Sequence, residues 1–554
     1  MSSTFLNLRP GGSRSIVQVM GAGGSSDHCR RLLSTLSRLQ PVSFEGDSAY
    51  PDAVFQIGEP SADEFDRRGG EVMTLTTALP ITDSIETADR TQVVFHDELE
   101  VPFPFRGRAL ETSVSRGIKP LTCMAGEQVL ASIAAGPIWT CRWLNGRKYF
   151  RSALPLEEIP EDGIFAQVFN GGVFLSNLPL LHLLSQLPSR AGEVSPPLRA
   201  AFMFDDPNLH WTSYGFVSYL DVLKCAELEN FHVGFATIPL DTWFTHKSAA
   251  SLFRESANRL SLLVHGNNHT RHELAKPYSA RDRGALLDQA QRRIRRLERQ
   301  GAISVSRVMV PPHGACSAEM LASLPGAGFD AACISAGSLL THNPAEPWTA
   351  LLGFRPAERV RGCPVLPRWP FTDGTESELL VAAYLGRPMI VRGHHGDLRE
   401  GLEPMISAAR FMNGLGAVHW GNISDLARSS YQLRICGSTA LLQAYANTVE
   451  LRLPEQVTSL VIIPANEDSG TEHYTIATGE STRAVALPAS PFQLDGTSIT
   501  VTRTLPAVET PETPRPRLLA GSIARRLLTE GRDRMMTIRR GVATRRTQKT
   551  EPYT

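Results

Sequence analysis

Four short stretches between Phe204 and His395 carry residue types suited to metal-assisted hydrolysis. They are Phe204-Asp205-Asp206, His265-Gly266-Asn267-Asn268-His269, Pro311-Pro312-His313-Gly314 and His394-His395. Two imidazoles and one carboxylate make a facial set for a divalent transition metal, leaving positions open for water and substrate. Zinc suits that set first, and cobalt, nickel or iron also fit it. Adjacent carboxylates at a strand end diverge, so one of the pair can bind metal while the other stays free as a base. The four-residue step from His265 to His269 puts both imidazoles on one side if a helical turn follows Leu262-Leu263-Val264. A late histidine is suited to protonating a leaving group, with Asp397 placed to orient it.

Each piece has a plain alternative. Asp pairs shape acidic turns, spaced histidines are common, and Pro and Gly shape loops. Complementary pieces in sequence order are much harder to obtain by chance. Around them lie groups that could meet a substrate. His210 and Trp211 follow the Asp pair, Pro312 and His313 make a rigid turn, and Arg368 and Trp369 offer a cation and an apolar wall. His272, three residues past His269, reads as an outer or surface group.

In this order the motifs resemble the polysaccharide deacetylases of the NodB homology type, over about residues 198–428. The resemblance implies an irregular (β/α)7 barrel, with Asp205 as general base and Asp206, His265 and His269 as metal ligands. It makes one of His394 and His395 the general acid, with Trp369 packed beside it, and His394 is preferred as the first imidazole after the Met389-Ile390-Val391 strand. The implied substrate is an acylated amino sugar or a related N-acyl compound. Three positions depart from the family pattern. Pro207 replaces a glycine, His313 replaces an aromatic residue, and Val310 replaces the arginine that pairs with the base, for which Arg368 or Arg392 could substitute.

Several elements must position these groups. Ala201-Phe204, Leu262-Val264, Arg307-Val310, Leu366-Trp369 and Met389-Val391 read as strands whose C-terminal ends hold the chemistry, as in barrels and open sheets. Leu287, Ala290, Ile294 and Leu297 mark the buried stripe of a helix with an Arg-rich outer face.

Before the barrel, residues 1–195 read as an α/β unit, flavodoxin-like and similar to glutamine amidotransferases. Strands are expected at 16–20, 53–57, 72–75, 92–95, 129–133, 137–143 and 164–169, with a helix ending at Leu39. Cys123 lacks the glycine-flanked elbow of an amidotransferase nucleophile, so this unit is expected to be non-catalytic. In the turn Gly21-Ser26 the third glycine of a dinucleotide fingerprint would fall at Ser26, and no Gly-Lys-Ser/Thr is present, which favours a plain strand-to-helix turn over a phosphate cradle. A hinge is expected over 188–197, where Ser, Gly and Pro cluster.

Residues 431–505 read as a small all-β domain, a sandwich, from short strands at 448–453, 459–463 and 498–502. The remainder, 506–554, is proline-rich and then basic. Between Arg515 and Lys549 stand ten Arg and one Lys against Glu530 and Asp533. That stretch suits a disordered tail or an amphipathic segment on an anionic membrane surface or acidic partner.

The 554 residues carry no formal net charge, with 42% apolar and 20% charged residues, so no global pull toward nucleic acid is expected. The eight cysteines are scattered without a Cys-x-x-Cys pair, and the N-terminus lacks a secretory apolar core. A cytoplasmic, thiol-reducing setting is the expectation. The leading functional reading is a metal-dependent C–N hydrolase; the rival is a catalytically inactive barrel that binds carbohydrate or scaffolds. A lyase or glycosidase on the same barrel is a third reading.

Overall fold

The computed structural model describes residues 14–505 apart from 22–28, 47, 49, 59–71, 80–88, 115–117, 195, 349, 373, 466–471, 480 and 488–489, together with 524, 528 and 531. The glycine turn after Gly21 and the basic tail at 515–549 therefore lie essentially outside the described residues. Among those described, no helix is long and apolar enough to cross a membrane.

The central sheet is mixed, almost wholly parallel and curled. Its hydrogen-bonded order begins with Glu358–Val360, Cys363–Leu366, Ala331–Cys333, Val305–Val310 and Leu260–His265. It continues through Val233–Thr237, Leu198–Asp205, Met389–Gly393 and Trp369–Pro370. Among the described residues no strand pairing joins its two ends, so the ladder is open. The chain itself joins them: Pro367 and Arg368 link Cys363–Leu366, near one end, to Trp369–Pro370 at the other. Three Cα steps span at most about 11 Å, so the sheet must curl into a half-barrel. The single strand expected at 366–369 is thus two short strands on opposite ends of the sheet.

Side-chain alternation decides what faces the inside of the curl. Ala201, Met203, Leu263, Val308, Val310, Leu366 and Ile390 form one fully buried inner cluster. Phe202, Phe204, Leu262, Val264 and Met309 belong to the separate outer core, beneath the helices. Small and medium side chains inside, with aromatic ones outside, fit a tightly curved sheet. The period of two then carries the inner face from Met203 to Asp205, from Leu263 to His265, and from Ile390 to Arg392.

The helix Ala280–Gly301 buries Leu287, Ala290, Ile294 and Leu297, as its stripe predicts. Ser279 accepts the Asp282 amide at its start, a cap contributing about 1 kcal/mol.

Residues 15–152 form a nine-stranded sheet. Ser15–Gly21, Val42–Glu45, Ala53–Ile57, Met73–Thr77 and Arg147–Ser152 are parallel, and four antiparallel strands extend it. The strand expected at 164–169 is instead a helical turn, Phe165–Val168, with buried Phe165 and Val168. Its apolar run is too short for periodicity to separate helix from strand. The segment expected to hinge is pinned, because Glu193 and Val194 pair with Arg434 and Leu433.

Beyond Tyr431 two antiparallel-rich sheets share one apolar core, with Leu433, Leu442 and Leu460 facing Val449, Tyr474 and Val501. All eight cysteines are free.

Candidate metal and acid–base site

Asp206, His265 and His269 converge: each offers one ligand atom, and the three atoms lie within 4.8 Å of one another. His269 Nε2 is 3.0 Å and His265 Nε2 is 3.5 Å from Asp206 Oδ1. Donors bound at about 2.1 Å in a tetrahedral shell sit about 3.4 Å apart, so the spacing suits a single ion. His265 Nδ1 lies 2.9 Å from the Val310 carbonyl. A carbonyl can only accept, so the proton sits on Nδ1 of that bond and Nε2 presents its lone pair inward, the usual support of a metal-bound imidazole. Val310 therefore contributes its backbone, while its side chain fills the inner core.

Asp206 Oδ1 is buried and takes no well-oriented hydrogen bond. Burial alone would raise the Asp206 carboxyl, yet the imidazoles of His265 and His269 hold it well below the usual carboxylate range. Burial would likewise lower His265, but the charges of Asp205 and Asp206 raise it. A buried carboxylate oxygen facing two inward nitrogens needs a positive charge between them. A divalent cation supplies that charge without a proton, so this donor set fits a metal.

The loop that delivers His269 is not helical. His269 has φ 56° and Asp206 has φ 83°, both left-handed and uncommon for residues with side chains. Glu273 holds this conformation. Its buried carboxylate accepts the backbone amides of Asn267, Asn268 and His269 at 2.8 to 3.1 Å. Arg293, from the long helix, donates to the side-chain oxygens of Asn267 and Asn268. Pro312 supports the loop from beneath: a Cβ on Gly266, whose φ is 61°, would meet the Pro312 ring at 2.6 Å. Glu273 and Arg293 escape sequence reading, although a Glu four residues past a ligand histidine is a usable signal.

Asp205 lies buried on the opposite side of the Asp pair. Arg368 Nη1 contacts both of its carboxylate oxygens, and His394 Nε2 approaches one of them at 3.9 Å. Arg392 sits nearby and half-buried, its pKa lowered first by burial and then by the charge of Arg368. Asp397 accepts the His394 backbone amide at 2.7 Å, so it fixes the main chain rather than the imidazole. His394 continues extended from its strand, in step with Ile390 and Arg392. His395 turns the other way and packs between Tyr214 and Phe216, with ring centroids 5.5 and 5.6 Å away.

The remaining sequence expectations separate. Arg368 is buried against Asp205 and acts on the carboxylate. Trp369 hydrogen-bonds Glu378 and lines a cavity of about 310 Å³ shared with Gly171 and Gly172 of the preceding unit. His210 is buried, its Nε2 2.7 Å from the Asp241 carbonyl. Trp211 is half exposed and stacks on His246. His313 is exposed, its ring 5.1 Å from that of His269.

Neither a protein-family model nor a curated protein matches the chain. Among solved structures, it is similar to a family 4 carbohydrate esterase from Streptomyces lividans, at 12% identity and TM-score 0.25, over 42% of this chain and 94% of that one. It is also similar to the catalytic domain of a peptidoglycan N-acetylglucosamine deacetylase from Eubacterium rectale, at 13% identity and TM-score 0.25, over 42% and 93%. A GMP synthase-type protein from Thermoplasma acidophilum matches over 25% of this chain and 83% of that one, at 14% identity and TM-score 0.16. Likeness at this level leaves the activity to the chemistry of the site.

Proposed function

We propose that this protein is a metal-dependent hydrolase that removes an acyl group, such as acetyl, from an amino sugar or related N-acyl compound. The observation that carries this reading is the convergence of Asp206, His265 and His269 beside a separate, buried Asp205–Arg368 pair. Asp206, His265 and His269 would hold the ion, with zinc the first choice for two nitrogens and one oxygen. When bound, it supplies Lewis acidity toward the acyl oxygen and acidifies water. Asp205 takes the proton of the attacking water. Arg368 keeps that carboxylate oriented and charge-balanced in its buried position. His394 returns a proton to the departing amine.

The division that accompanies this reading is residues 1–195, 198–428, 431–505 and 506–554. The parallel run in the first sheet suits a flavodoxin-like, amidotransferase-related unit, and Cys123 is exposed outside any strand-to-helix elbow. The paired sheets after Tyr431 suit a β-sandwich.

Purified protein should carry about one equivalent of transition metal, and His265→Ala should lose it. Hydrolysis across a panel of acetylated amino sugars should require both that metal and Asp205. Undiminished tight binding of metal by His265→Ala would remove the central claim. A metal-loaded protein that hydrolyses no N-acyl substrate would favour the binding or scaffolding barrel.

A further inference from the structure

His272, His313 and His342 stand outside the chemistry just described, yet their rings continue the series begun by the metal ligands. The centroids of His269 and His313 are 5.1 Å apart, those of His313 and His272 6.3 Å, and those of His272 and His342 5.3 Å. For comparison, His265 and His269, which aim at one carboxylate oxygen, are 5.0 Å apart. His272 and His313 are exposed and His342 is partly so, which places the trio at the open rim beside the buried site.

Three different segments present these histidines, and buried hydrogen bonds brace them together. Leu274, two residues past His272, bridges Cys316, and its carbonyl accepts the Ser317 amide at 3.0 Å. Buried Asn343, next to His342, donates to the Cys316 carbonyl at 3.0 Å and accepts the Ala318 amide at 2.7 Å. Gly314, next to His313, has φ 69° and runs so close to the Ala336–His342 helix that a Cβ would meet Ser338 Oγ at 2.6 Å. The 272, 313 and 342 segments therefore meet on one fixed stretch, 314–318. His272 and His313 are themselves held at φ 49° and 58°, unusual for histidine.

We propose that His272, His313 and His342 form a second binding site for a divalent transition metal, at the rim of the first. Three imidazoles and no carboxylate make an all-nitrogen set, which suits zinc, cobalt, nickel or copper and excludes magnesium or calcium. Among the described residues only Asp206, His265 and His269 already bring three ligand atoms within 4.8 Å. Closing the second site takes rotation of the three imidazoles on a fixed backbone, so it should bind its ion more weakly than the first. This inference builds on the first metal site but is tested separately from it.

The test is calorimetric titration of the metal-free full chain with zinc chloride, with cobalt titrations followed by visible absorption. Wild type is expected to take two equivalents in two steps. His272→Ala/His342→Ala should take one, keeping the tighter step, and His265→Ala should keep only the weaker one. Circular dichroism establishes that each variant is folded, and single His342→Ala provides a second, milder probe that should weaken the second step at least 10-fold. A single wild-type equivalent that disappears in His265→Ala, or two undiminished equivalents in the double variant, would overturn the second site. A single wild-type equivalent that persists in His265→Ala and disappears in the double variant would instead strike the first site alone.

Discussion

Arg368 Nη1 lies 3.3 and 3.4 Å from the two carboxylate oxygens of Asp205, with both side chains buried. Removing one partner of such a pair leaves an uncompensated charge and costs about 3–5 kcal/mol. Arg368→Met should therefore lower the melting temperature and cut turnover about 100-fold or more, while still binding metal. Arg368→Lys keeps the charge but loses the planar fork, so an intermediate rate is expected. Turnover by Arg368→Met at the wild-type rate would show that Asp205 does not depend on Arg368.

His394 and His395 differ in which way they face. The first approaches Asp205 and the second packs under the Ser213–Ser218 hairpin, where Gly215 comes so close that a Cβ would meet the His395 ring at 2.4 Å. His394→Gln should reduce turnover by roughly 10²–10⁴-fold, and less so for substrates whose leaving amine needs no proton. His395→Ala should mainly loosen the hairpin, seen as a lower melting temperature with turnover reduced less than in His394→Gln. Steady-state kinetics on both variants, with activated and unactivated N-acyl substrates, separates the two roles. Equal losses on both substrates in His394→Gln would argue against proton donation.

Much of the site is legible in the sequence because it rides on strand periodicity. Asp205, His265 and His394 continue the inner-face alternation of Met203, Leu263 and Ile390, a pattern carried by the residues themselves. For His269 the spacing points to a residue that does meet Asp206, but by another route: four positions suggest a helical turn, whereas a left-handed backbone held by Glu273 brings it to Asp206. The choice of Arg368 over Arg392 depends on how the sheet curls until Leu366 and Trp369 reach opposite ends, a tertiary fact with no local signature. The failure at 164–169 is of the same kind, since a short apolar run takes its conformation from what it packs against.

Glu273 should tune metal affinity without touching the metal. Its carboxylate organises three amides of the loop between His265 and His269, and such supporting groups typically contribute 10- to 100-fold in affinity. Glu273→Ala should weaken zinc binding by about that factor, as measured by competition with a chromogenic chelator. Glu273→Gln retains one acceptor oxygen and should recover part of the loss. Unchanged affinity in folded Glu273→Ala would mean the loop holds its shape without the carboxylate.

Two buried histidines far from these ligands set an acid limit on stability. His182, edge-on to Trp139 and Phe150, is pushed down to about 3, first by burial and then by Lys148. His232, bonded to the Asn258 carbonyl and Ser261 Oγ, is pushed down to about 4, again chiefly by burial. Both folded values lie below the unfolded 6.5, so between them the unfolded chain binds more protons. Their stabilising contribution is complete above pH 6.5 and is lost progressively as pH falls toward 4 and then 3. A shift of this size in His182 corresponds to about 5 kcal/mol at most, at about 1.4 kcal/mol per unit. The melting temperature should therefore fall steadily below pH 6.5. His182→Phe keeps a flat ring between Trp139 and Phe150 but cannot titrate, so it should flatten that fall. If the wild-type and His182→Phe profiles remain parallel from pH 7 to 4, His182 does not carry the acid sensitivity.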